Sequence, residues 1–258
     1  MSKIEMKDSG PSTRDMERIN WLEFREWVPE KIKTVLLPLG TLEAHGVTAN
    51  GTDIIAPVAM AREIASRVNA MVAPAIPYGF TGVLDAYPGS FTVPEAAYRE
   101  YVRAVMTGLA KNRFKNLILL NGHGGGQTAI LSALAQEVGR NSQARILVVN
   151  WWSYCSDVTH EVFGEDGGHA GDNETAYVMA IDPALVDNHR YHSDMATTMP
   201  APNTWSAYPF PSSIMLYKQG QGYPEFDPEK ARIYFAKVND KIARLIEETI
   251  SKWDLARV

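Results

Sequence analysis

NLILLNGHGGG, residues 116–126, runs four consecutive apolar residues into an asparagine and then sets a histidine among glycines. A short apolar run without alternation suits a strand buried on both faces of a parallel sheet, and the glycines mark the turn that ends it. The same pattern recurs upstream in TVLLPLGTLEAHG, residues 34–46, and downstream in RILVVNWW, residues 145–152, read as a third buried strand ending in two tryptophans. Helical spacing separates these runs: residues 54–68, residues 127–139, and residues 94–112, where Tyr98, Tyr101, Val102 and Val105 share one face. MVAPAIP at 71–77 reads as a strand, and Pro74 and Pro77, which cannot donate to a ladder, point to an edge or an early end. The Gly-rich, aromatic stretch 78–93 reads as a long functional loop, and an amphipathic helix over 228–253 should lie outside the sheet. Strands alternating with helices predict an α/β fold with a mostly parallel sheet covered on both faces.

The chain has 258 residues and 45% hydrophobic content, enough for one large core. One domain is expected over 19–258, behind a flexible N-terminal arm over 1–18. A net charge of -5 offers no basic surface for a phosphate backbone, so a small molecule is the expected partner and nucleic acid is not. The single cysteine, Cys155, rules out an intrachain disulfide and any Cys-based zinc cluster, so a metal must sit on histidines and carboxylates. With no apolar signal core and no run of membrane-spanning length, a cytoplasmic protein is expected.

Polar clusters follow the strand ends. In open parallel sheets ligands gather beyond the carboxyl ends of the strands, so these loops should share one cleft. Glu43 and His45 are two apart and project to the same side of an extended segment; Asp53 follows just before a helix. A divalent metal can use all three, and the short Asp53 carboxylate suits a bridge between two ions. NGHGGG adds His123, with Gly124 and Gly125 allowing close approach of a ligand. GGHAGDNETA adds His169, Asp172 and Glu174 on a turn leading into a helix near Thr175. Taken singly, each histidine or carboxylate also suits a structural role, and Asp53 a helix cap. NGHGGG lacks the Lys and Ser or Thr of a P-loop and does not match GxGxxG, which argues against nucleotide binding. Trp151, Trp152, Tyr78, Phe80, Tyr87 and Phe91 suit either core packing or substrate contact.

The ordered set LPLGTLEAHG (37–46), Thr52-Asp53, NGHGGG (121–126) and HAGDNETA (169–176) resembles the creatininase family of creatinine amidohydrolases. The resemblance spans about residues 35–185 and implies a three-layer α/β/α fold, two divalent ions per chain (zinc, manganese or iron) and a homohexamer. It implies Glu43, His45, bridging Asp53 and His123 as metal ligands, and His169 as a substrate-side proton donor. Where the family's type enzyme has a glutamate two residues after the NGH histidine, this chain has Gly125, so Glu174 is the candidate to complete the second site, with a catalytic share. Trp152 matches an active-site tryptophan, whereas a second one is replaced by Glu165. Ala86 and Tyr87 precede PGS where many relatives have a histidine. Trp152, Tyr87, Gly124 and Gly125 are thus the substrate-side candidates. The implied activity is hydrolysis of a non-peptide C–N bond, in a cyclic amide or formamide. The alternatives are a small peptide or an oxidised inositol-like ring at the same metal site, or a non-catalytic metal or small-ligand binding module.

Overall fold

Two adjacent parallel strands, β1 (Thr34–Leu39) and β3 (Asn116–Asn121), form the centre of a sheet in the computed structural model, which describes residues 10–258. β2 (Ala70–Val72) flanks β1 and β4 (Arg145–Asn150) flanks β3, giving a parallel four-stranded sheet of order β2-β1-β3-β4. All six residues of β1 and all six of β3 are buried, as their uninterrupted apolar runs require when both faces are covered.

Strand alternation sends Leu36, Ile118 and Leu120 to one face, where they meet α2 (Thr52–Ile64), α7 (Asp172–Ile181) and α8 (Pro228–Ala256). Val35, Leu37, Leu39, Leu117 and Leu119 point the other way, onto α3 (Glu95–Lys111) and α4 (Gly125–Ser142). The result is the α/β/α single domain. On α3 the buried stripe is Tyr98, Val102, Met106 and Leu109, whereas Tyr101 is 54% exposed. The stripe follows the i, i+4 ridge, which leaves position 101 on the solvent side.

Some boundaries differ from the sequence reading. β4 stops at Asn150, and Trp151 and Trp152 open a helical turn, α5 (Trp151–Tyr154), followed by α6 (Ser156–Phe163). Trp151 is buried against the α7 and α8 layer, which pulls the chain out of the sheet at that point. α7 begins at Asp172, so Glu174 lies in its first turn. A helix α1 (Trp21–Trp27) and a small sheet of β5 (Gly168–His169), β6 (Ala196–Thr198) and β7 (Ile214–Leu216), in order β5-β7-β6, were not evident from the sequence.

Of the N-terminal segment, residues 1–9 lie outside the described residues. Beyond them, the Val72 amide donates to the Arg14 carbonyl at 2.8 Å and the Met16 amide to the Val72 carbonyl at 2.9 Å, so this stretch covers the edge of β2. Among the described residues, no helix is long and apolar enough to cross a membrane.

Candidate active site

From β1 the chain turns to α2 on one face of the sheet; from the adjacent β3 it turns to α4 on the opposite face. This reversal opens a crevice between the two strand ends, and Asp53, in the first turn of α2, sits in it. Two glycines set its position. A Cβ on Gly40, at the end of β1, would lie 2.0 Å from the Asp53 carbonyl oxygen, and a Cβ on Gly122, at the end of β3, would lie at the same 2.0 Å. Any other residue at either place would push the helix start, and Asp53 with it, out of the crevice. Glycine is therefore needed for close backbone approach.

The Asp53 carboxylate faces one imidazole with each oxygen: Oδ1 is 3.0 Å from His45 Nε2, and Oδ2 is 2.9 Å from His123 Nδ1. Each ring is fixed through its other nitrogen. His45 Nδ1–H donates to the Glu43 carbonyl at 2.9 Å, and His123 Nε2–H donates to the Phe80 carbonyl at 3.1 Å. A carbonyl can only accept, so the remaining nitrogen of each ring presents its lone pair, or a second proton, to carboxylates. His45 Nε2 is 3.5 Å from Glu174 Oε2, and His123 Nδ1 is 3.3 Å from Glu43 Oε2. Glu174 is itself held by the Ala170 amide at 2.7 Å, from a residue with φ +53°.

Glu43, Asp53 and His123 form one group whose ligand atoms all lie within 4.8 Å of one another; His45, Asp53 and Glu174 form a second, and Glu43, His45 and His169 a third. The five side chains of the first two groups are all buried. The donor set suits divalent metal ions: imidazole and carboxylate only, each imidazole braced by a main-chain acceptor, and three carboxylates gathered away from water. Without a cation, protons must balance that charge. Burial pulls the His45 imidazole down, but the charge of Asp53 overrides it, with help from Glu174, and lifts it to about 9. His123 is likewise raised despite burial, by Glu43 and Asp53. Asp53 is held below the usual carboxylate range against the opposing effect of burial, chiefly by the charge of His45. Burial instead pushes Glu174 up to about 7.

His169 differs from the other two histidines. Its Nε2–H donates to the Ala44 carbonyl at 2.8 Å, its ring centroid is 4.1 Å from that of His45, and Nδ1 is 3.8 Å from Glu43 Oε2. Burial, reinforced by the charge of His45, lowers it to about 4, so the ring is neutral at pH 7 with Nδ1 free.

The cluster forms part of the lining of a cavity of about 740 Å³. Of the substrate-side candidates, Trp152, Gly124 and Gly125 line it. Tyr87 does not; its hydroxyl donates to the Phe210 carbonyl at 2.7 Å, and Phe210 is the residue that reaches the cavity. Gly125 has φ +57° and open space where a Cβ would stand. Glu165 accepts from the Gly222 amide at 2.9 Å and does not line the cavity. Asp172 is buried beside Asn173 and is in none of these groups.

Several contributors were missed. Asn121 donates through Nδ2 to the His123 carbonyl at 2.7 Å, accepts from the His123 amide at 3.2 Å, and accepts from Gln127 at 2.9 Å. Its place as the first residue of NGHGGG was the available signal. Trp205, Phe210, Met215 and Tyr217 also line the cavity, from a stretch with neither helical nor strand periodicity.

A family model described as creatininase, creatinine amidohydrolase, matches residues 17–246. The chain is 26% identical over 200 residues to creatinine amidohydrolase of Pseudomonas putida, covering 70% of this chain and 77% of that one. It is 27% identical to 3-dehydro-scyllo-inosose hydrolase of Thermotoga maritima over 66% of this chain and 60% of that one. It is 28% identical to the mycofactocin precursor peptide peptidase of Mycobacterium ulcerans over 67% and 68%. The fold superposes on a crystal structure of creatininase with TM-score 0.81 at 22% identity, covering 92% of this chain and 98% of that one. It also matches a creatininase of Zn-Zn type with TM-score 0.78 and a manganese creatininase with TM-score 0.77. On the family match over most of its length, the chain belongs to the creatininase family.

Proposed function

We propose that this protein is a binuclear-metal-dependent hydrolase of a non-peptide C–N bond, in a cyclic amide or formamide. Glu43, Asp53 and His123 would hold one divalent ion, and His45, Asp53 and Glu174 the other. The observation that carries this reading is the Asp53 carboxylate, one oxygen at 3.0 Å from His45 and the other at 2.9 Å from His123, shared between two carbonyl-braced imidazoles. Relatives solved with zinc and with manganese support either metal here. When bound, such ions polarise a carbonyl oxygen and bring the pKa of water toward ~7.

The proton is moved by His169. Its Nε2–H is committed to the Ala44 carbonyl, so only Nδ1 can accept. Nδ1 takes the proton of the attacking water and gives it to the departing nitrogen. Trp152, with the Gly124 and Gly125 backbone, orients the substrate at the rim of the site. A homohexamer belongs to the same reading, on the family resemblance.

A second reading keeps the centre and changes the bond, to a small peptide or an oxidised inositol-like ring. The cavity of about 740 Å³, roomy for a single small ring, favours it, as do the relatives that act on such substrates. Release of amine distinguishes an amide or peptide from a ring ketone.

Elemental analysis of native protein and Asp53→Ala, run beside an amine-release assay, tests the proposal. Close to two ions per chain are expected, both lost on substitution, with activity falling by about 10³-fold or more. A native protein that stays empty when supplied with zinc, manganese or iron overturns it.

A further inference from the structure

The cavity is chemically divided. Every carboxylate and imidazole that lines it belongs to the floor: Glu43, Asp53, His123, His169 and Glu174. Among the described residues, no lysine or arginine lines it. The wall is uncharged and largely apolar: it carries five aromatic rings, Phe80, Trp152, Trp205, Phe210 and Tyr217, and the side chains of Met199 and Met215, with neutral polar groups such as Asn150 and Ser206 between them.

These rings are seated by the fold. Trp205 and Phe210 are stacked, with centroids 5.5 Å apart and an interplanar angle of 10°. Phe210 is pinned at both ends of its peptide unit: its amide donates to the Val83 carbonyl at 3.1 Å, and its carbonyl accepts from Tyr87. Phe80 lies over Gly126, where a Cβ would come within 2.8 Å of the ring. Trp205 is 47% exposed and lines the cavity.

We propose that the substrate of this site is an uncharged amide carrying a flat apolar body, seated against the Phe80, Trp152, Trp205 and Phe210 rings, and that carboxylated or phosphorylated analogues are rejected. The scissile bond rests on the amidohydrolase reading; the body rests on the wall. Aromatic walls reward burial of a planar apolar group. An anionic substituent on that group loses its hydration with no cation on the wall to replace it.

The test uses purified, metal-loaded protein and two matched pairs: acetanilide with its 4-carboxylate for binding by calorimetry, and formanilide with its 4-carboxylate for hydrolysis. The neutral member is expected to bind about tenfold more tightly. Trp205→Ala should weaken acetanilide binding by about fivefold. Val83 also lines the cavity, and Val83→Lys, which puts a cation on the wall while leaving all the rings in place, should tighten binding of the carboxylate by about fivefold. Equal affinity for the two members in native protein, or a Val83→Lys variant that leaves their ratio unchanged, overturns the proposal. Preferential binding without hydrolysis of either formanilide supports the wall and counts against the amidohydrolase reading. Hydrolysis of both at equal kcat/KM does the reverse.

Discussion

At and just beneath the floor of the cavity three imidazoles are each tied to a backbone carbonyl, and Asp53 is wedged between two strand-end glycines; at the wall, Trp205 and Phe210 come from an irregular stretch held by a handful of bonds. The floor is polar, buried and built on the ends of β1 and β3 and the first turns of α2 and α7. The wall is uncharged and largely apolar, partly exposed and built mostly on loop, with Trp152 from α5 and Met215 from β7. Rigid elements hold chemistry to a fraction of an ångström, whereas a loop can change its side chains without disturbing the sheet. A family that shares a floor can therefore differ in substrate through its wall.

The contrast breaks most sharply at Gly122. Gly122→Ala places a methyl group against the Asp53 carbonyl, and a displacement of about 1 Å at the reacting centre costs about 10²-fold in activity. The same change should lower stability by roughly 1–3 kcal/mol, read as a Tm shift in thermal melts. Unaltered activity would show that the wedge does not position Asp53.

Removing a brace has a smaller effect than moving a ligand. Asn121→Ala strips two hydrogen bonds from the His123 backbone, and metal affinity should fall by about 10-fold, measured by competition with a chelator. An equal loss in Gly122→Ala and Asn121→Ala would erase the distinction between wedge and brace.

The floor also carries a pH signature that the wall lacks. His45 titrates at about 9 in the metal-free protein against an ordinary value of 6.5. Its pairing with Asp53 therefore stabilises the fold fully below pH 6.5, and that contribution is lost as pH rises through about 9. The Tm of metal-free protein should fall across this window. Metal must displace the same proton, so metal affinity should rise with pH over the same range and binding should release protons into a weak buffer. A metal-free Tm that is flat from pH 6.5 to 9 would contradict this account.

The smallest effect belongs to the wall. Tyr87→Phe removes only the hydrogen bond to the Phe210 carbonyl, about 1 kcal/mol, and should raise KM a few-fold with kcat little changed. A matching fall in kcat would mean that wall and floor are coupled.

The sequence alone determined the sheet and the floor, because both are written locally. Buried parallel strands announce themselves as unbroken apolar runs, and a ligand loop at a strand end carries its glycines and its donors within a few residues, as in LPLGTLEAHG and NGHGGG. The rest depended on contacts across long separations. That Trp151 leaves the sheet follows from its packing against Tyr177, far along the chain. That Tyr87 serves Phe210 rather than a substrate follows from a bond spanning 123 residues. The small sheet joining Gly168–His169 to Ile214–Leu216 positions His169, yet its strands are two and three residues long, too short to leave a period. Only the tertiary structure decided the apolar wall, because rings that line a cavity obey no repeat along the chain, only the shape of the space they enclose.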